Sequence, residues 1–453
     1  MAKGKHSAYV CESCGHDEPK WLGRCPACGE WNTLKEIRIS AAASTGGRPP
    51  RRSAGDAMRP QPLSEVDPAP PQRHPTGIEE LDRVLGGGLA PGTAVLLGGE
   101  PGIGKSTLML QVAAILPGRG LYISGEESPS QVKNRADRLA LPQDSLDILC
   151  ETDLDVLSDH LERHRPDYAV VDSIQTLISG DAGAVPGTPN QLKIAGHRLT
   201  AWAKGAGRPI FLIAHVTKEG AIAGPKVIEH LVDTVLYFDH SAGDLRILRA
   251  SKNRMGPVDE VGLFRMGASG LQPIPDPAGL FLEHRREAPP VGSAVAAVYE
   301  GSRILLVEIQ ALTVPAKGGF GRVYSDRIDT ARVNRVAAVL ERHAALKLSD
   351  QDIYVNVAGG LRIGDTGVDL ALALALFSAR SEQALPADMV AVGEISLAGE
   401  IRPVPHLRRR IKTARDTGLG RWMAAVARDE SAELPGGGER VQAVRDALAA
   451  VLS

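Results

Sequence analysis

The chain has 453 residues, with 52 Lys and Arg against 54 Asp and Glu, for a formal net charge of -2. That balance excludes a bulk polyelectrolyte attraction to nucleic acid, so any DNA contact must come from local patches. The length calls for two or three domains, and the longest apolar run, 370–377, is far short of a bilayer span. The first seven residues lead into a cysteine motif without the apolar core of a signal peptide, and four of the five cysteines are clustered. The expectation is a soluble, cytoplasmic protein with no membrane partner, whose thiols bind metal and form no disulfide framework.

The first element is a small module, 1–36, built on Cys11-x₂-Cys14 and Cys25-x₂-Cys28. Two tight knuckles offering two thiolates each match the four ligands of tetrahedral Zn²⁺. All four positions are filled, so the metal is expected to be structural, with Trp21 and Trp31 packing on the site. A tether follows at 37–75, rich in Ala, Pro, Arg and Ser, whose composition cannot bury a core.

From 76 to 287 short apolar strands alternate with amphipathic helices. The strands are expected at 94–97, 120–124, 146–149, 168–171, 210–215 and 234–238. That alternation predicts an α/β fold with a mostly parallel sheet and crossover helices. Its first strand runs into Gly99-Glu100-Pro101-Gly102-Ile103-Gly104-Lys105-Ser106, then Thr107 and a helix over 107–114. This is G-x-x-x-x-G-K-[ST] in strand–loop–helix context, the phosphate loop of a nucleotide hydrolase. Its glycines let backbone N–H groups turn inward, Lys105 reaches the β- and γ-phosphates of ATP, and Ser106 holds Mg²⁺. Further on, 168–171 ends in Asp172, placed to hold the Mg²⁺ shell, and 120–124 ends in Glu126-Glu127, either of which could polarise the attacking water. His215 closes the 210–215 strand, and Lys252-Asn253-Arg254 forms a basic turn after a strand at 245–250.

Beyond Pro289-Pro290 the pattern changes to strands at 294–299 and 304–309, a helix at 330–348, a strand at 353–357 and a helix at 369–380. A strand at 389–395 and a basic helix at 407–416 complete it. This predicts a second, α+β domain over 288–453.

Several of these stretches together resemble the RadA (Sms) family of bacterial DNA-repair and recombination ATPases. They are the four-cysteine ribbon, Thr76-Gly77-Ile78-Glu79-Glu80-Leu81-Asp82, the phosphate loop, Tyr122-Ile123-Ser124-Gly125-Glu126-Glu127-Ser128, and the run from Ala214-His215 to Lys226. The resemblance implies a RecA-like P-loop ATPase core between an N-terminal C4 zinc ribbon and a C-terminal Lon-protease-like domain. It implies homo-hexameric rings on single-stranded and branched DNA, a recombinase partner, and ATP-driven branch migration or helicase-like unwinding in DNA repair. Glu126 then looks like the water-activating carboxylate, Asp172 like the Walker B acid and His215 like a γ-phosphate sensor. Residues 217–226 and 179–191 look like DNA-facing loops. Lys252 and Arg254 match a signature that reaches nucleotide across a subunit interface, although Met255 stands where the family carries Phe. In the Lon-like domain Gly367 falls at the position of the nucleophilic Ser and Arg408 at that of the Lys base. Neither can do that chemistry, so no peptidase is expected. Lys317, Arg322 and Arg408-Arg409-Arg410 are possible DNA contacts. The readings to be separated are a DNA-dependent motor, a non-motor ATP-dependent DNA clamp or recombinase mediator, and an ATP-dependent peptidase.

Overall fold

The structure, a computed structural model, describes residues 7–11, 17–18, 20–26, 29–38, 62, 72–180, 186–215, 224–240, 244–275, 277–282, 290–318, 321–427 and 434–451. It divides into two compact units. One comprises 1–238 with 250–257 and 268–271, and the other 239–249, 258–267 and 272–453.

In the first unit the cysteine module is a small antiparallel sheet. Its strands are β1 (Ser7–Cys11), β2 (Asp17–Glu18) and β3 (Leu34–Arg38), with β1 in the middle. A short helix α1 (Glu79–Leu85) then precedes the main sheet.

That sheet is built from β4 (Ala94–Gly99), β5 (Gly120–Ser124), β6 (Leu146–Leu149), β7 (Tyr168–Asp172), β8 (Ile210–His215) and β9 (Thr234–His240). All pairs are parallel, in the order β9-β4-β8-β7-β5-β6. The crossovers are α2 (Lys105–Ile115), α3 (Pro129–Arg138), α4 (Leu154–His164), α5 (Pro189–Ala206) and α6 (Gly224–Glu229). Every residue of β4, β5 and β7 is buried, because helices cover both faces of a parallel sheet. The arrangement is the parallel α/β fold that the alternation predicts and the RecA-like core that the resemblance implies.

The chain continues through β10 (Leu245–Asn253), β11 (Val261–Gly267) and β12 (Gly270–Pro273), with β10 and β11 antiparallel. Lys252 and Asn253 therefore belong to the strand itself, where the sequence suggested a turn.

The second unit holds β13 (Ser293–Glu300), β14 (Arg303–Pro315), β15 (Val323–Ser325), α7 (Thr330–Ala344), β16 (Gln351–Val357) and α8 (Asp369–Ser381). It goes on with β17 (Met389–Val392), β18 (Glu394–Ile395), β19 (Ile401–Arg402), α9 (Leu407–Asp416), β20 (Arg421–Ala424), β21 (Gly438–Arg440) and α10 (Val444–Ala450). Seven strands form a mixed sheet in the order β15-β16-β14-β13-β17-β20-β21. Alternation along β13 feeds two cores: Ala294, Ala296 and Val298 pack with α7 and α8, and Val295 and Ala297 pack with α9. α8 is buried from Asp369 to Ser378, which explains the apolar sequence of that stretch. The strand expected at 389–395 divides at Gly393, where a Cβ would stand 2.6 Å from Ile401 Cγ2.

Candidate nucleotide site and its neighbours

The parallel register lines up the carboxyl ends of four strands. Gly99 at the tip of β4 pairs with His215 at the tip of β8, and Ser124 at the tip of β5 pairs with Asp172 at the tip of β7. Ligands of open α/β sheets bind at this edge.

The phosphate loop occupies it. Gly102 (φ 77°) and Gly104 (φ 113°) hold left-handed backbone that side chains resist, and a Cβ at Gly102 would meet nothing within 4 Å. Pro101 and Gly102 are exposed, while Ile103 is buried and anchors the loop. Gly104 caps α2 without any side-chain hydrogen bond, and no acidic residue sits in the first turn. The first-turn N–H groups therefore form an electropositive end that the Gly104 cap leaves without a side-chain partner. Ser106 and Thr107 are half-buried in that turn.

Lys105 is 3% exposed, and its Nζ donates to the carbonyls of Gly99 and Glu100, each at 2.9 Å. Burial lowers its pKa to about 8, and the carboxylates of Asp172 and Glu126 oppose that shift. The ammonium is held inside the loop on weak, neutral acceptors. An oxyanion placed there would be a far better partner.

Opposite the loop, Asp172 Oδ2 accepts a 2.6 Å hydrogen bond from the buried Tyr122 hydroxyl. The Tyr122 phenol is pushed well above its ordinary pKa, first by burial and then by Asp172. The two neighbouring glutamates separate cleanly. Glu127 is ion-paired with Arg135, whereas Glu126 Oε1 accepts from Ser173 Oγ at 2.6 Å and lies 3.1 Å from His215 Nε2. His215 is in turn fixed by its backbone. Its N–H donates to Gln175 Oε1 at 2.9 Å and its carbonyl accepts from Gln175 Nε2 at 3.0 Å. Gln175 stands in a 3₁₀ turn, Ile174–Thr176, directly after the strand-end acid. Thr176 Oγ1 donates to the Ser173 carbonyl at 2.7 Å, and a Cβ on Gly125 would fall 1.9 Å from it.

Lys105, Asp172, Glu126 and His215 thus gather at one sheet edge, as the sequence suggested, with three partners that sequence reasoning passed over. Ser173 and Gln175 left a faint signal as polar groups just past the buried end of β7, and Tyr122 as a hydroxyl in the middle of the buried strand β5.

Lys252 and Arg254 are engaged elsewhere. Lys252 Nζ donates to the carbonyls of Glu229 (2.7 Å) and Val232 (2.8 Å), and burial lowers its pKa. Arg254 lies 3.6 Å from the buried Asp233 carboxylate, which also accepts from the Ala94 N–H at 3.1 Å. Asn253 ties the same segment to α1 through the Val84 and Leu85 carbonyls, each at 3.3 Å.

In the cysteine module Cys11 and Cys25 are buried side by side with Leu34. Two thiols drawn together in so small a core, on knuckles of equal spacing, fit a tetrahedral thiolate metal site. Cys14 and Cys28 lie outside the described residues, as do 217–223 and 181–185 of the two loops expected to face DNA.

In the second unit the group that faces Gly367 is Arg410, two positions beyond the Arg408 that alignment suggested. A Cβ on Gly367 would stand 3.0 Å from Arg410 Nη1. Arg410 is 2% exposed, bonded to the Ala297 and Pro405 carbonyls and ion-paired with Asp365. A permanently charged guanidinium fills the space beside a residue with no nucleophile. No helix among the described residues is long and apolar enough to cross a membrane.

Comparison with known proteins adds the following. A family model described as Rubredoxin metal binding domain matches residues 9–36, one described as KaiC matches 74–147, and one described as Subunit ChlI of Mg-chelatase matches 326–427. The chain is 52% identical to the DNA repair protein RadA of Treponema pallidum, over 93% of this chain and 91% of that protein. It is 44% identical to that of Bacillus subtilis and 43% identical to that of Escherichia coli, each over 94% of both chains. Among solved structures, the RadB recombinase aligns with 44% of this chain and 98% of its own, at 22% identity and a TM-score of 0.37.

Proposed function

Because the chain belongs to the RadA family of DNA-repair proteins, we propose that it is a DNA-dependent ATP hydrolase, a motor acting on recombination intermediates in the cytoplasm. The observation that carries this reading is the convergence of Lys105, Asp172, Glu126 and His215 on the strand edge that holds the phosphate loop.

The chemistry follows from the residues. Backbone N–H groups from Gly99 to Thr107 bind the phosphates, with Glu100, Pro101 and Ile103 shaping the loop. Lys105 exchanges its two carbonyl acceptors for β- and γ-phosphate oxygens. Ser106 and Asp172 would hold Mg²⁺, which when bound neutralises phosphate charge. Glu126, and not the Arg135-bound Glu127, orients the attacking water and takes its proton. His215 shares Glu126, so loss of the γ-phosphate changes what His215 faces, and its backbone leads directly into 217–226. That segment, with 179–191, is the proposed contact to single-stranded and branched DNA.

Homo-hexameric rings would bring Lys252 and Arg254 to a neighbour's nucleotide. Arg254, with 54% of its side chain exposed, is the better placed of the two, since Lys252 is spent on its own chain's carbonyls. Such a trans cation stabilises transition-state charge. Residues 1–36 form the zinc ribbon, with Cys11, Cys14, Cys25 and Cys28 as ligands of a structural Zn²⁺. The sequence of 37–75 is that of a linker, 76–287 is the ATPase domain, and 288–453 a Lon-like domain that lacks peptidase chemistry and serves assembly and DNA contact. A recombinase is the expected protein partner.

The test is ATP hydrolysis with and without single-stranded DNA, for wild type and Lys105→Ala. Wild-type hydrolysis rises with DNA, and the variant is inactive in both conditions. Equal wild-type rates with and without DNA would remove the coupling, and branch-migration assays separate a motor from a clamp or mediator that uses ATP only to assemble.

A further inference from the structure

We propose that Tyr122 is a positioning residue for the divalent cation that accompanies the nucleotide, acting through Asp172. This rests on the reading of Asp172 as the acid of the nucleotide site.

The argument starts from what a carboxylate can accept. Asp172 has two oxygens, and among the described residues only Oδ2 receives a hydrogen bond, from the Tyr122 hydroxyl at 2.6 Å. Tyr122 is 1% exposed on β5, which is paired on both sides by β6 and β7. A phenol on a strand hemmed in this way has no freedom to follow a moving partner, so the partner is held to it. The bond therefore restrains the carboxylate and occupies one lone pair of Oδ2. Oδ1 is left without a hydrogen bond among the described residues, at the sheet edge where the Asp172 charge reaches Lys105. Partners that orient a metal-ligating carboxylate typically govern metal affinity by about 10-fold to 100-fold when removed. A merely structural tyrosine would not need its hydroxyl on this acid. In Tyr122→Phe the ring volume stays, and only the donor goes.

The experiment measures ADP binding by calorimetry, in EDTA and across a Mg²⁺ series, for wild type and Tyr122→Phe. Affinity for ADP in EDTA should be the same in both proteins, because the phosphate loop is intact. The Mg²⁺ concentration that gives half of the metal-linked gain in affinity should rise about 10-fold or more in the variant. Adding Tyr122→Phe to Asp172→Ala should produce no further change, since the tyrosine then has nothing to hold. An unchanged Mg²⁺ profile in Tyr122→Phe overturns this inference alone and leaves the nucleotide site standing. A wild-type protein whose ADP affinity ignores Mg²⁺ overturns both. Should Tyr122→Phe unfold, 3-fluorotyrosine at position 122, which keeps the ring and makes the hydroxyl a stronger donor, makes the comparison instead, and a Mg²⁺ midpoint that it leaves unmoved overturns the proposal.

Discussion

The pair Glu126-Glu127 shows how much one hydrogen-bond partner decides. Two adjacent glutamates after the same strand are chemically identical in the sequence, yet Arg135 takes Glu127 out of the site while Ser173 and His215 hold Glu126 in it. General-base catalysis commonly contributes about 10² to 10⁴ in rate. Glu126→Gln should therefore cut ATP turnover at least about 100-fold while leaving nucleotide affinity close to wild type. Glu127→Gln breaks an ion pair beside the site and should reduce turnover only a few-fold. Steady-state hydrolysis and ADP titration of both variants check this, and the reverse ranking would move the base to Glu127. The alternatives stayed open in the sequence because Arg135 lies eight positions away, and nothing in the spacing says which carboxylate it will meet. For the same reason Gly367 could be aligned with a missing nucleophile but not matched to Arg410, whose side chain folds back from α9.

At the scale of elements, the strands of the parallel sheet were legible because short apolar runs bounded by polar tips have few other uses. The six expected strands all appear, and 120–124, 146–149 and 210–215 appear with the same ends. What the pattern could not carry is irregular backbone. The Ile174–Thr176 turn has no period, and it exists through contacts from elsewhere: Gln175 to the His215 backbone, and Thr176 packed where Gly125 has no side chain. Gly125 is not a glycine of convenience, since its missing Cβ leaves room for Thr176 Oγ1, which is itself bonded to the Ser173 carbonyl. Gly125→Ala forces the turn outward and pulls Ser173 from Glu126 and Gln175 from His215. A cost of about 1–3 kcal/mol in stability is expected from such overpacking. ATP turnover should fall by more than that loss of folded protein explains, which denaturant unfolding and hydrolysis measured together will separate.

On the scale of the whole chain, the two units carry different titratable loads, and that makes their stabilities separable. On the proposed function the first should gain stability from nucleotide: at 100 times Kd a ligand specific to the folded form contributes about 2.7 kcal/mol. The second carries Asp369, 1% exposed at the start of α8, with Oδ1 lacking a hydrogen bond among the described residues and Arg332 at 3.7 Å. Burial raises its pKa to about 6, opposed by the Ile395 N–H and by Arg332 and Arg335. The folded state thus holds its proton to higher pH than the unfolded chain, whose ordinary value is 3.8. Between about pH 4 and pH 6 folded protein binds more protons, so this group's contribution to stability falls as pH rises. Above pH 6 the full penalty applies, on the order of 3 kcal/mol for a shift of about two units. Asp369→Asn removes that titration and keeps an acceptor for Ile395. In calorimetric unfolding the variant should match wild type near pH 4, gain on it through pH 6, and hold a constant advantage of about 1–3 kcal/mol beyond. The gain should fall on the transition that ADP with Mg²⁺ does not move. A difference between variant and wild type that is flat from pH 4 to pH 7 would mean that Asp369 is already ionised at the acid end, and that Arg332 and Arg335 outweigh its burial.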